Sequence, residues 1–144
     1  MTATAAPNHI LYPVFAMFLL VATVLLRMRS MRFGAVARKE VHVSHYKAYD
    51  GDEPEALRVI ANHFRNLFEV PVLFYVGALM IYVTHQVTWW LVGCAWVYVA
   101  FRYAHSYVHL TSNHILTRLS LYFASGFVLV AMWATLLVQL LRAG

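Results

Sequence analysis

Residues 119–141, LSLYFASGFVLVAMWATLLVQLL, run for 23 positions without a charge. As a helix that length rises about 34 Å, enough to cross the ~30 Å hydrocarbon core of a bilayer. Similar runs lie upstream: ILYPVFAMFLLVATVLL at 10–26, VPVLFYVGALMIYV at 70–83, and a third from about 87 to 110. Lipid cannot hydrogen-bond to an open backbone, so such runs fold as helices or not at all. The chain has 144 residues, 62% of them hydrophobic and only 12% charged. A soluble domain carries about 25% charged residues. One small aqueous core could not hide so much apolar side chain. The pattern predicts an all-α, integral membrane four-helix transmembrane bundle in a single domain, 1–144. Its spans are expected at about 9–29, 56–83, 87–111 and 115–142, with a loop over 30–55.

The first run has no basic segment before it and no clear small-residue cleavage site, so it reads as a retained span. Pro13 suits its first turn. Acidic residues and Pro54 in DEPEALRVI mark the start of the second helix, and Trp89 and Trp90 read as interfacial anchors of the third. Ser112 or Asn113 is the expected cap of the fourth. The net charge of +5 is concentrated between the first two runs, and the other end of the bundle has only Arg142. The bias of Lys and Arg toward the inner face places loop 30–55 and the third turn in the cytoplasm and both termini outside. A bacterial inner membrane is the expected location. The basic cluster is juxtamembrane, with no aromatic-interleaved soluble face for nucleic acid. Turn signals sit in YDGD, residues 49–52. The one cysteine, Cys94, can form no internal disulfide and reads as a buried packing residue.

Polar residues interrupt two of the spans. A charge at the bilayer centre costs about 2.5–3.5 kcal/mol. Arg58, Asn62, Arg65, Asn66 and Glu69 nevertheless share one arc of the second helix, all in its cytoplasmic half. Arg102, His105, Ser106, His109 and Asn113 share an arc of the third, with Tyr103 and Tyr107 on the adjoining face. These stripes read either as interhelical glue, each bond adding about 0.6 kcal/mol, or as the walls of a polar cavity open to the cytoplasm. Glu69 is expected to pair with Arg65 or Arg58, or with a cation on a neighbouring helix. His105 and His109, four residues apart, could chelate a metal with Glu69, but no third ligand is assured and no metal is expected.

HFRNLFEVPVLFY at residues 63–75, with Asn66, Glu69 and Pro71, and RYAHSYVHLTSNHILTRL at 102–119 together resemble the MAPEG family, membrane-associated proteins in eicosanoid and glutathione metabolism. The likeness is to small bacterial-type members. It implies a homotrimer that binds glutathione as co-substrate between subunits at the cytoplasmic side. A lipophilic small-molecule substrate would arrive from the membrane lipids, for microsomal-type transferase or peroxidase chemistry. By the same resemblance, Arg58, Asn62, Arg65, Asn66, Glu69, Arg102, Tyr103 and Tyr107 would bind the tripeptide. His105, His109 and Asn113 would line the polar cavity. Asn62 stands where the family has an arginine, and His114 stands where a thiolate-stabilising arginine is expected, so His114 would face the sulfur. The alternative is a non-catalytic subunit of the same fold that binds lipid or a protein partner.

Overall fold

The computed structural model describes residues 3–48 and 53–143, and the turn signals at 49–52 lie outside the described residues. The described chain is almost wholly helical. A short 3-10 turn, Pro7–Ile10, leads into α1, Leu11–Ala37. A single turn, α2, covers His45–Ala48. α3 runs over Glu55–Asn66, α4 over Val70–Val83, α5 over Trp89–Leu110 and α6 over Ile115–Ala143. α5 and α6 form the closest pair. α1 packs on α3 and α5, and α4 on α6. Among the described residues, three stretches are long and apolar enough to cross a membrane: Pro7–Ala37, Glu55–Val83 and Ile115–Ala143. α5 has 22 residues but is diluted by Trp, Tyr, His and Arg102.

The core lies along the bundle axis. Met17, Leu20 and Val24 of α1 meet Phe74, Ala78 and Ile81 of α4, Leu91, Ala95 and Tyr98 of α5, and Leu129, Met132 and Leu136 of α6. Phe74 stacks on Tyr98 with centroids 4.6 Å apart. Cys94 is buried on α5. Outside, Phe15, Phe18 and Leu26 on α1 and Phe127, Val130 and Leu141 on α6 are exposed. An apolar surface of this extent belongs against lipid or another apolar partner.

Two boundaries differ from the sequence reading. α1 continues to Ala37 and carries Arg27, Arg29 and Arg32 on helix instead of ending near residue 29. Arg and Met are good helix formers, so a change of polarity alone does not stop the helix. It ends in a Schellman cap: Lys39 has φ 59°, its N–H donates to Val36, and Glu40 N–H donates to Ala35. α4 ends in the same way, with His85 at φ 57° and Gln86 N–H donating to Ile81.

The second expected span is also not one helix. It breaks at residues 67–69, between α3 and α4. Pro71 is the cause. It has no N–H to give the carbonyl of Leu67, and its ring crowds that carbonyl. Glu69, at φ −92° and ψ −99°, becomes the N-cap residue of α4. The break exposes the C-terminal end of α3, and Arg102 of α5 covers it. Its Nη2 donates to Asn66 Oδ1 at 2.7 Å and to the Asn66 carbonyl at 3.5 Å. Arg102 is fully buried, with its guanidinium carbon 5.7 Å from the Tyr122 ring centre.

The two ends of the bundle are distinct. At one end the chain's first residues pair with the α4–α5 connection: Ala5 N–H donates to Val87 O and Trp89 N–H to Ala3 O. Thr88 caps α5 by accepting from Leu91 N–H. The other end holds the basic segment, the α3–α4 break and the α5–α6 turn.

Removing Asn66 strands a buried cation, whereas removing Arg102 removes the cation itself. Asn66→Leu is therefore expected to cost about 3 kcal/mol and Arg102→Met about 1 kcal/mol, measured by reversible unfolding in detergent. Equal losses would contradict the capping role. Gly77 lets α4 approach Trp133, whose Nε1 donates to Leu73 O at 3.2 Å. A Cβ at Gly77 would lie 3.1 Å from that nitrogen. Gly77→Ala should cost about 1–2 kcal/mol by overpacking and red-shift Trp133 fluorescence, and an unchanged spectrum would argue against the close approach.

Candidate functional site

The helix break turns a polar stripe into one wall of a cavity of about 410 Å³. α3 and the break supply Asn62, Arg65, Asn66 and Glu69. α5 supplies His105 and His109. α6 supplies Ile115, Arg118, Leu119 and Tyr122. The stripes of the second and third spans thus face a common space, and the first turn of α6 closes it. Asn66 links the walls: its Oδ1 accepts from Arg102, and its Nδ2 donates to Glu69 Oε2 at 3.2 Å. Glu69 thus takes its hydrogen bond from an amide, not from Arg65 or Arg58. Arg65 donates to Asn62 at 3.4 Å. Glu69 also stands at the N-terminus of α4, where the helix dipole favours a negative charge.

Arg118 was not singled out by the sequence reading. Its Nη1 donates to Asn113 Oδ1, and its carbonyl accepts from His105 Nδ1 at 3.0 Å. Asn113 is at φ 51°, a left-handed conformation that asparagine tolerates. It therefore fixes Arg118 at the cavity mouth. A second open space of about 580 Å³ adjoins the first and shares Asn62 and Arg65 with it. It also takes in Arg58, Arg32, His45 and Glu53, with His45 Nε2 3.6 Å from Glu53 Oε2. Arg58 belongs to this neighbouring space.

Besides Arg58, five expected site residues do not line this cavity: Arg102 and Asn113 stand behind it as partners of Asn66 and Arg118, and His114, Tyr103 and Tyr107 lie elsewhere in the single chain. His114 is exposed, and its Nδ1 receives Thr117 N–H at 3.4 Å and lies 3.0 Å from Thr117 Oγ1. It caps α6, the role expected of Ser112 or Asn113. Tyr103 donates its hydroxyl to Ala16 O of α1 at 2.8 Å. Tyr107 is 72% exposed. The cation nearest in sequence that does line the cavity is Arg118, one helical turn beyond His114.

Behind the cavity lies a histidine that the sequence reading passed over. His63 of α3 is fully buried and points to α5, with its Nδ1 2.9 Å from Nδ1 of His109. It sits about 100° around the helix from Asn62, outside the stripe first drawn. The HxxN spacing to Asn66 is the one signal that would have included it.

Neither the curated proteins nor the solved structures contain a match to this chain. The family model described as MAPEG family matches residues 10–138. That match takes in all of Glu55–Val83, most of Pro7–Ala37 and Ile115–Ala143, both walls of the cavity and the α6 turn that closes it. The chain is an integral membrane protein and belongs to the MAPEG family.

Proposed function

We propose that the protein is a thiol-dependent membrane enzyme that binds glutathione or a related thiol in the 410 Å³ cavity and transfers it to a lipophilic substrate. The observation that carries this reading is the charge pattern of the wall. Glutathione has two carboxylates, an ammonium group and a thiol. The cavity presents two arginines, Arg65 and Arg118, one carboxylate, Glu69, and the amides of Asn62 and Asn66. Glu69 would hold the ammonium and Arg65 a carboxylate. Arg118 takes the role expected of His114: a permanent cation at the sulfur, which favours thiolate over thiol at neutral pH. The thiolate then attacks an electrophilic carbon, forming the C–S bond as the leaving group departs with its electron pair. With a hydroperoxide, sulfur attacks the terminal oxygen, the O–O bond breaks and the alcohol leaves. A second thiol then resolves the sulfenic product to disulfide and water.

Ile115 and Leu119, exposed beside Arg118, provide the apolar side from which a lipid-dissolved substrate enters. We take α5 as a fourth span, since its 22 residues rise about 33 Å. The basic end then faces the cytoplasm of a bacterial cell and both termini face out. A homotrimer would cover part of the exposed apolar surface and bring Tyr103 and Tyr107 against a neighbouring subunit. One observation favours a non-catalytic reading: neither Tyr103 nor Tyr107 reaches the cavity within one chain.

Purified protein in detergent should show thiolate absorbance in the ultraviolet when glutathione is added. Arg118→Leu is expected to lower that signal at least tenfold, and His114→Ala to leave it within twofold while costing about 1 kcal/mol of stability through the lost cap. The reverse ranking would return the role to His114, and no signal in the unmodified protein would favour the non-catalytic subunit. Glu69→Gln should weaken glutathione binding about tenfold, the equivalent of 1.4 kcal/mol, by calorimetry. Unchanged affinity would remove Glu69 from the binding wall.

A further inference from the structure

His63 of α3 and His105 and His109 of α5 form a buried cluster in which one ring nitrogen from each residue lies within 4.8 Å of the other two. They are 0%, 4% and 5% exposed. The ring centres are 4.7–5.8 Å apart. Buried polar atoms ordinarily have partners, and His105 Nε2 has none among the described residues. The tautomer of His105 is fixed. Its Nδ1 lies 3.0 Å from the Arg118 carbonyl, which can only accept, so Nδ1 carries the proton and Nε2 keeps a bare lone pair. A ring nitrogen donating to a backbone carbonyl while the other points into a buried space is the arrangement that orients metal-bound histidines.

We propose that His63, His105 and His109 form a binding site for a divalent first-row transition ion of the zinc type, with its fourth position open toward the 410 Å³ cavity. Three neutral imidazoles suit zinc, copper, nickel or cobalt, and do not suit magnesium or calcium, which take oxygen ligands. Tetrahedral bonds of about 2.0–2.1 Å hold ligand nitrogens about 3.3 Å apart. His63 Nδ1 and His109 Nδ1 stand 2.9 Å apart and no pair of the candidate ligand nitrogens is more than 4.8 Å apart, so side-chain adjustment brings the three to that spacing on binding. Binding displaces the proton shared between His63 and His109. His105 and His109 reach the cavity, so water can take the fourth position from that side. Arg102 and Arg118 oppose the ion by repulsion, and the asparagine oxygens of Asn66 and Asn113 hold each guanidinium in place without cancelling its charge. The site stands on the cluster's own geometry and does not need the thiol reading to be correct.

The test uses the full-length protein in detergent, stripped with chelator and titrated with Co²⁺ and then Zn²⁺, with no glutathione present. One equivalent of Co²⁺ should give the visible bands of a four-coordinate ion, and Zn²⁺ should displace it. X-ray absorption on the zinc-loaded protein should show three imidazole ligands. His63→Ala and His109→Ala should each weaken binding at least tenfold, while His42→Ala and His85→Ala leave it unchanged. If a core variant does not fold, the X-ray absorption of the unmodified protein decides. Absence of a four-coordinate Co²⁺ spectrum, fewer than three imidazoles, affinity unchanged in a folded His63→Ala, or binding lost in His42→Ala would each overturn the proposal.

Discussion

The structure depends on how Arg102 closes the backbone that Pro71 opens. A helix interrupted at membrane depth leaves peptide groups that lipid cannot satisfy. The interruption persists here because a cation from α5 meets the freed end of α3 through Asn66. Its stem and the Tyr122 ring keep that cation from lipid. Glu69 begins α4 on the other side of the gap. The two helix ends therefore face side chains of complementary sign, and the crevice between them is a consequence of the break.

From that point the polar residues form a connected set. Asn66 holds Arg102 and Glu69. Asn113 holds Arg118, whose carbonyl orients His105. His109 joins His63. Three helices are thus tied at one depth by side chains that line the cavity or stand directly behind it, so glue and cavity wall are not competing descriptions of the same residues. The amides position and the charged groups are positioned.

Much of this was legible in the sequence. Helical periodicity placed Asn62, Arg65, Asn66 and Glu69 on one face and His105 and His109 on another, and the structure brings those faces together. Three features were not legible, each for a local reason. The break at residues 67–69 was masked because an apolar run reads as one span whether or not Pro71 divides it. His63 was missed because a face drawn around Asn62 excludes the residue beside it, although tertiary packing turns His63 inward. Arg118 was missed because the resemblance pointed one turn earlier, to His114. Motif spacing counts residues, whereas the cavity depends on which side of α6's first turn a residue occupies.

The antiparallel bridge between Thr4 and Thr88 has a consequence for biogenesis. It fastens the segment around Thr4 to a connection made only after α1, α3 and α4 have left the ribosome. The segment around Thr4 therefore cannot make this contact when its own residues emerge. The bridge thus belongs to the later contacts of the bundle, formed only once α4 and the connection after it are in place.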